Sequence, residues 1–250
     1  MFILSEEKYT MKEIIPIIIP AYEPDERLIE LIHNLTQSEE QIVIVDDGSG
    51  SAYTSIFDKC RIALGNKGII LSHETNRGKG RALKTAFSFV LENYPDAVGI
   101  VTADSDGQHT QLAIASVKEE LRKHPNALIL GVRSFDGDGI PWKSVFGNKL
   151  TVKILSYVSG VRISDTQTGL RGIPKEFTRQ LLEVKGERFE FETEMLVESA
   201  GEYPIIEIPI ETIYDSKENH QTHFNPIVDS IKIYRIFGKI LLKYIFRKIK

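Results

Sequence analysis

The feature that most limits the fold of this chain is a repeated unit: a short apolar run, a polar loop, then a helical pattern. Ile14-Ile15-Pro16-Ile17-Ile18-Ile19 is a nearly continuous β-branched run, the pattern of a strand covered on both faces. Pro20-Ala21-Tyr22-Glu23-Pro24 ends it, and Asp25 is placed to cap a helix over Glu26 to Asn34. Ile42-Val43-Ile44-Val45 is the second strand and runs into Asp46-Asp47-Gly48-Ser49-Gly50. Gly68-Ile69-Ile70-Leu71 is the third, followed by Asn76-Arg77-Gly78-Lys79-Gly80 and a helix from Arg81 to about Asn93. Val98 to Val101 forms the fourth and ends at Asp104-Ser105-Asp106-Gly107-Gln108-His109. Such alternation implies right-handed βαβ crossovers and an α/β fold with a mainly parallel sheet flanked by helices.

In sheets of that kind ligands bind beyond the carboxyl ends of the strands, and all four polar clusters lie there. Asp104 and Asp106 are spaced i, i+2 with Gln108 two residues on, so two carboxylates and an amide can converge on one hard cation such as Mg²⁺. An EF-hand loop is excluded, because His109 stands where the turn glycine belongs and Ala115 where the bidentate glutamate belongs. Glu23, Asp46 and Asp47 can accept hydrogen bonds from a ribose and a base. Gly78 and Gly80 open a helix whose N–H groups attract anions, and Arg77 and Lys79 add charge suited to a diphosphate. The loop is not a Walker A motif, since no Gly-Lys-Ser/Thr follows, and Leu83 takes the third glycine position of a dinucleotide fingerprint.

Taken together, Ile18-Ile19-Pro20-Ala21-Tyr22, Val45-Asp46-Asp47-Gly48-Ser49, Asn76-Arg77-Gly78-Lys79-Gly80 and Asp104-Ser105-Asp106 resemble the family-two glycosyltransferases of the GT-A fold. The second half narrows the resemblance. Gly131-Val132-Arg133, Phe146-Gly147-Asn148-Lys149-Leu150, Asp165-Thr166-Gln167-Thr168-Gly169-Leu170-Arg171 and Phe189-Glu190-Phe191-Glu192 are similar to the polyprenyl-phosphate glycosyltransferases, the group of dolichol-phosphate mannose synthase and the bactoprenol glucosyltransferases. The match runs from about Ile14 to Ile231 in the order that the family keeps.

The resemblance implies that Asp104 and Asp106, with Gln108, hold Mg²⁺ or Mn²⁺ on the donor diphosphate. It implies a nucleotide-sugar site at Pro20, Tyr22, Glu23, Asp46, Asp47, Lys79, Asp104 and Ser105. Arg133, Lys143, Lys149 and Arg171 are then the cations for an acceptor phosphate, and Asp165 lies where the family keeps an acid near the reacting centre. The expected reaction is inversion at the anomeric carbon by a lipid phosphate, with Asp104, Asp106, Asp165 and Arg133 as the catalytic group. A phosphate nucleophile is already ionised, so it needs placement more than a strong base. UDP-glucose and UDP-N-acetylglucosamine lead GDP-mannose as donors. The chain departs from the pattern at Lys143-Ser144-Val145, where family members often carry Arg-Ser-Arg, and at Asn219-His220-Gln221-Thr222-His223-Phe224, where they usually carry a serine followed by a basic or histidine residue; His220 and His223 are there either as substrate contacts or as part of a solvated loop.

Charge is unevenly spread. The net charge is −4, yet after Asp229 the chain has seven basic residues and no acid, which leaves an acidic body of about −11. Lys232, Arg235, Lys239, Lys243, Arg247 and Lys250 recur every three or four residues beside Ile231, Phe237, Ile240, Leu241, Tyr244 and Ile245. Lacking about eighteen uncharged residues in a row, this stretch reads as an amphipathic helix lying in an anionic membrane interface rather than spanning it. Packing on its own domain, or a homo-oligomer contact, is the alternative. No recognised nucleic-acid module accompanies the basic stripe. The expected division is a GT-A domain over 1–225 (a nucleotide-sugar half, 12–135, and an acceptor half, 136–225) and the interfacial helix over 226–250. The single cysteine, Cys60, excludes an internal disulfide, and Glu6, Glu7 and Lys8 interrupt any signal-peptide core. A cytoplasmic enzyme attached to the inner membrane face is the expectation. Two other readings stay open: a transferase of the same fold acting on a polysaccharide or protein hydroxyl, and a non-catalytic nucleotide-sugar-binding module.

Overall fold

The structure, a computed structural model, describes residues 13–38, 40–133, 163–200 and 202–211. Lys143, Lys149, His220, His223 and the basic tail therefore lie outside the described residues. Among the described residues seven strands form one sheet: β1 (Ile17–Ala21), β2 (Ile42–Asp46), β3 (Gly68–Ser72), β4 (Gly99–Thr102), β5 (Leu128–Arg133), β6 (Arg171–Pro174) and β7 (Ile205–Ile210), in the order β3-β2-β1-β4-β6-β5-β7. All neighbouring pairs are parallel except those of β6, which runs antiparallel to β4 and β5. The first four strands lie where the apolar runs place them. The reversed strand inserted between β4 and β5 carries no such signal.

Strand alternation sorts the core into two layers. Ile17, Ile19, Ile42, Ile44 and Val101 face α1 (Glu26–Leu35), α2 (Thr54–Leu64) and α4 (Gln111–Lys123). Ile18, Val43, Val45 and Ile100 face α3 (Lys79–Asn93), α5 (Lys175–Leu181) and α6 (Glu190–Ser199). Each layer closes on large side chains, Phe57 and Leu121 in the first and Phe87, Phe177 and Phe191 in the second. Full burial of a residue such as Ile17 is worth about 1.5–3 kcal/mol, so two-sided burial explains why these strands read as unbroken apolar runs.

One boundary differs from expectation. β1 starts at Ile17 and includes Pro20, whereas Ile14 makes only an isolated bridge to Ala97. Proline is tolerated there because β4 pairs β1 only at Ile17 and Ile18. Ile18 accepts from Ala103, so Pro20, two residues on, faces the side where β4 has already ended, and no ladder donor is lost. Asp25 caps α1 as the sequence predicts, accepting from the Arg27 N–H, and Thr110 caps α4 by accepting from Ala113.

Candidate active site

The loops after β1, β2, β3 and β4 gather at the carboxyl end of the sheet, and each is tied to the next by polar contacts. Glu23 has φ 51°, in the left-handed region that a side-chain-bearing residue rarely adopts. It is held there because its N–H donates to Ser49 Oγ at 2.9 Å, while Ser49 N–H donates to Asp46 Oδ1 at 2.9 Å. The Tyr22 phenol is pushed above its usual pKa, first by its hydrogen bond to the Glu23 carboxylate and then by burial. Asp46 and Ser49 thus shape the turn that presents Tyr22 and Glu23.

Asp47 has a different place from its neighbour. It is 2% exposed, and its carboxylate accepts from Arg77 N–H at 3.0 Å and Gly78 N–H at 2.7 Å, with His73 Nδ1 at 2.7 Å. The second ring nitrogen of His73 meets Thr85 Oγ1 at 2.9 Å. Asp47 is the anchor of the β3–α3 loop, not an open acceptor for a base.

The head of α3 also departs from the expectation of free amides for an anion. Asp47 takes the Arg77 and Gly78 amides, and Arg81 N–H donates to the Glu187 carbonyl at 2.9 Å. Gly78, at φ 105°, lies so close to Arg188 and Glu187 that any Cβ would collide with them. Arg81 clasps Glu187 through both oxygens at 2.5 and 2.7 Å, and Lys84 reaches Glu187 at 2.9 Å. The glycines thus allow residues 187–191 to close over the helix start.

Lys79 projects from this clasp into the acid cluster. Its Nζ is 2.7 Å from Asp104 Oδ1 and 2.9 Å from Glu192 Oε2. Burial opposes the Lys79 charge, but Asp104 and then Glu192 hold its pKa above the usual lysine value. Burial likewise opposes charge on Asp104, which Lys79 and then His109 keep well below the usual carboxylate range. Burial, then the neighbouring Asp104 charge, pushes Asp106 up. Asp106 Oδ1 accepts the Gln108 N–H at 3.0 Å, which folds the loop back on itself with Ser105 half-buried inside it. His109, 4% exposed, sets Nε2 3.4 Å from Asp104 Oδ2, and its buried Nδ1 has no hydrogen-bond partner among the described residues.

The donor set at Asp104 and Asp106 fits a hard divalent cation. Among the described residues no third acid or histidine joins them in a closed cage, so such a cation would complete its shell from diphosphate oxygens and water. Lys79 already balances the local charge from one side.

The opposite wall is the loop before β6. Any Cβ at Gly169 would collide with the Asp104 carboxylate, so glycine is required where this loop passes the acid. Thr102 Oγ1 donates to the Gly169 carbonyl at 2.8 Å, which fixes the approach. Asp165, fully buried, receives Arg133 in a two-pronged pair at 2.8 and 3.1 Å and also accepts the Gln167 N–H at 3.0 Å. Arg133, at the end of β5, is thereby oriented by Asp165.

Arg171, expected among the phosphate-holding cations, is 1% exposed. It donates to the carbonyls of Thr168 at 2.9 Å, Glu192 at 2.7 Å and Thr166 at 3.3 Å. At the start of β6, paired with both Thr102 and Leu130, it staples the 165–168 loop to α6. Glu192, His109 and His73 have site contacts that sequence reasoning did not assign. For Glu192 the signal was present in the Phe189-Glu190-Phe191-Glu192 alternation, which buries Phe191 and leaves the acid at the cluster.

The chain is similar to known proteins. The chain is 29% identical over 219 residues to UDP-N-acetylglucosamine–dolichyl-phosphate N-acetylglucosaminyltransferase of Methanococcus voltae, covering 81% of this chain and 86% of that protein. It is 23% identical over 203 residues to polyprenol monophosphomannose synthase of Mycolicibacterium smegmatis, covering 78% and 75%. Its fold is similar to glucosyl-3-phosphoglycerate synthase from Mycobacterium tuberculosis, crystallised with Mn²⁺, UDP and glucosyl-3-phosphoglycerate, with a TM-score of 0.65 at 14% identity over 93% of this chain and 80% of that one. The GT-A architecture is therefore shared even where sequence is not. The family model for glycosyl transferase family 2 matches residues 17–182, and with the strand-end acids and the glycine loop all inside that span, this chain belongs to glycosyl transferase family 2.

Proposed function

We propose that the protein transfers one sugar from a nucleotide sugar to a polyprenyl phosphate, with inversion at the anomeric carbon. The observation that carries this reading is the contact between Asp104 and Gly169, which sets the donor-side acids against the loop that orients Arg133. In this reading Arg133 and Asp104 flank one reacting centre. The relatives that act on dolichyl and polyprenol phosphates favour a lipid phosphate as acceptor, and the first of them favours UDP-N-acetylglucosamine as donor, with UDP-glucose next.

In this reading Tyr22, Glu23 and Asp46 border the nucleoside, and Asp104 and Asp106, with Gln108, hold Mg²⁺ or Mn²⁺ at the diphosphate. The metal would supply charge stabilisation to the leaving diphosphate. Lys79 adds positive charge beside it. Arg133 orients an acceptor phosphate oxygen toward the anomeric carbon. That oxygen forms the new C–O bond as the bond to the nucleoside diphosphate breaks, and the diphosphate leaves with its electron pair. Asp165 keeps Arg133 in place; no general base is required because the nucleophile is already an anion. Lys143 and Lys149 are further candidate phosphate cations in the acceptor half, and the basic tail would hold the enzyme at an anionic cytoplasmic membrane face. Among the described residues no helix is long and apolar enough to cross a membrane.

Release of UDP tests the reading. With UDP-N-acetylglucosamine and a divalent cation, a short-chain prenyl phosphate should raise UDP release by at least about a hundredfold over water, a small part of what positioning can supply. Equal stimulation by a sugar or peptide hydroxyl would favour the polysaccharide or protein acceptor instead.

A further inference from the structure

We propose that Lys79 is a built-in competitor for the divalent cation at Asp104, and that Glu192 is the positioning residue that receives its ammonium when the cation arrives. The inference rests on Asp104 and Asp106 being metal ligands. Lys79 Nζ lies 2.7 Å from Asp104 Oδ1, within the space that a cation bound to that oxygen would claim. A cation on the Asp104 carboxylate and an ammonium 2.7 Å from its Oδ1 repel each other strongly in a half-buried site, so each weakens the hold of the other. Glu192 Oε2, 2.9 Å away on the other side, gives the ammonium somewhere to remain.

The contact joins the two halves of the chain. Lys79 begins α3, whose start is locked by Asp47 and Glu187, so its backbone cannot retreat. Only the flexible stem can pivot, from Asp104 toward Glu192. A cation entering alone must displace the ammonium without recompense. A cation entering with a nucleoside diphosphate brings a new anion for that ammonium to face. Cation and nucleotide should therefore bind with positive coupling, and by linkage each should tighten the other by the same factor. Lys79 sets that factor, which makes the free enzyme a poor metal binder and discourages occupancy by metal without donor.

The test is Mn²⁺ titration of the full chain, followed by the electron paramagnetic resonance signal of free Mn²⁺, with and without UDP. Lys79→Met should bind Mn²⁺ alone about tenfold more tightly, the worth of losing one half-buried charge-assisted contact, while binding UDP more weakly in saturating Mn²⁺. Opposite signs for the two ligands are what a general loosening of the fold cannot produce. Lys79→Arg should restore the coupling in large part. Glu192→Gln should weaken Mn²⁺ alone severalfold, because the ammonium then depends on Asp104, and it decides the matter by itself if Lys79→Met does not fold. Unchanged or weaker Mn²⁺ binding by Lys79→Met, or unchanged binding by Glu192→Gln, overturns the proposal. Failure of the native protein to bind Mn²⁺ even with UDP would instead overturn the metal site on which it rests.

Discussion

Replacing Arg171 by methionine separates a structural arginine from a phosphate-binding one. The side chain is 1% exposed and donates to the carbonyls of Thr166, Thr168 and Glu192. Methionine matches much of the stem but leaves those carbonyls without a donor in a dry environment. A hydrogen bond from a charged group is worth about 1.5–3 kcal/mol, and the Thr166 contact, at 3.3 Å, is the weakest. Some of the loss is recovered by the lower desolvation cost of an uncharged side chain. A net destabilisation of about 3–5 kcal/mol follows, a large share of the 5–15 kcal/mol that a domain of this kind typically has. In urea this should appear as a lower midpoint with an unchanged slope, read by far-ultraviolet circular dichroism. Below the transition the folded fraction should keep a near-native KM for lipid phosphate. An unchanged midpoint with a KM raised tenfold or more would refute the reasoning and return Arg171 to the acceptor site.

Three further outcomes are expected. Arg133→Ala should raise the apparent KM for polyprenyl phosphate and leave nucleotide binding nearly intact by calorimetry; lost nucleotide binding would move Arg133 to the donor side. Burial pushes the Cys60 thiol up to about 11 from 9.0, so the native state disfavours the thiolate. That contribution to stability is complete below pH 9 and falls away as pH rises toward 11, and Cys60→Ala should flatten the decline relative to the native chain; parallel curves would contradict it. Truncation after Asn225 should release the protein from phosphatidylglycerol vesicles at low salt, since basic residues near such a surface contribute about 1 kcal/mol each. Equal flotation with and without the tail would show that the tail does not bind the membrane.

Much of the fold is legible because two-sided burial writes itself as unbroken apolar runs. Ile17 to Ile19 and Ile42 to Val45 can serve no other element so well, and the loops that follow them carry the polar residues. β6 is invisible for the converse reason: Arg171-Gly172-Ile173-Pro174 is short, begins with a charged side chain and ends in proline, yet it is fully buried through tertiary contacts alone. The site is legible to the level of which loops meet. Local sequence cannot tell Asp46, which supports a turn, from Asp47, which is sealed under the next loop, because that difference depends on where Arg77, Gly78 and His73 arrive. Likewise the glycine loop looks like an anion cradle until Glu187, more than a hundred residues later, is seen to cover it. Lys79 and Glu192 are similarly distant in the chain, and only the fold makes them partners.

The central claim is tested most directly by the product itself. Full-length protein, UDP-N-acetylglucosamine, undecaprenyl phosphate and Mg²⁺ or Mn²⁺ should yield, after organic extraction, a lipid whose mass equals the acceptor plus one sugar residue. UDP should appear in equal amount, and Asp104→Asn should abolish both. A lipid carrying a second phosphate with release of UMP, or sugar found only on a water-soluble hydroxyl acceptor, would contradict the account.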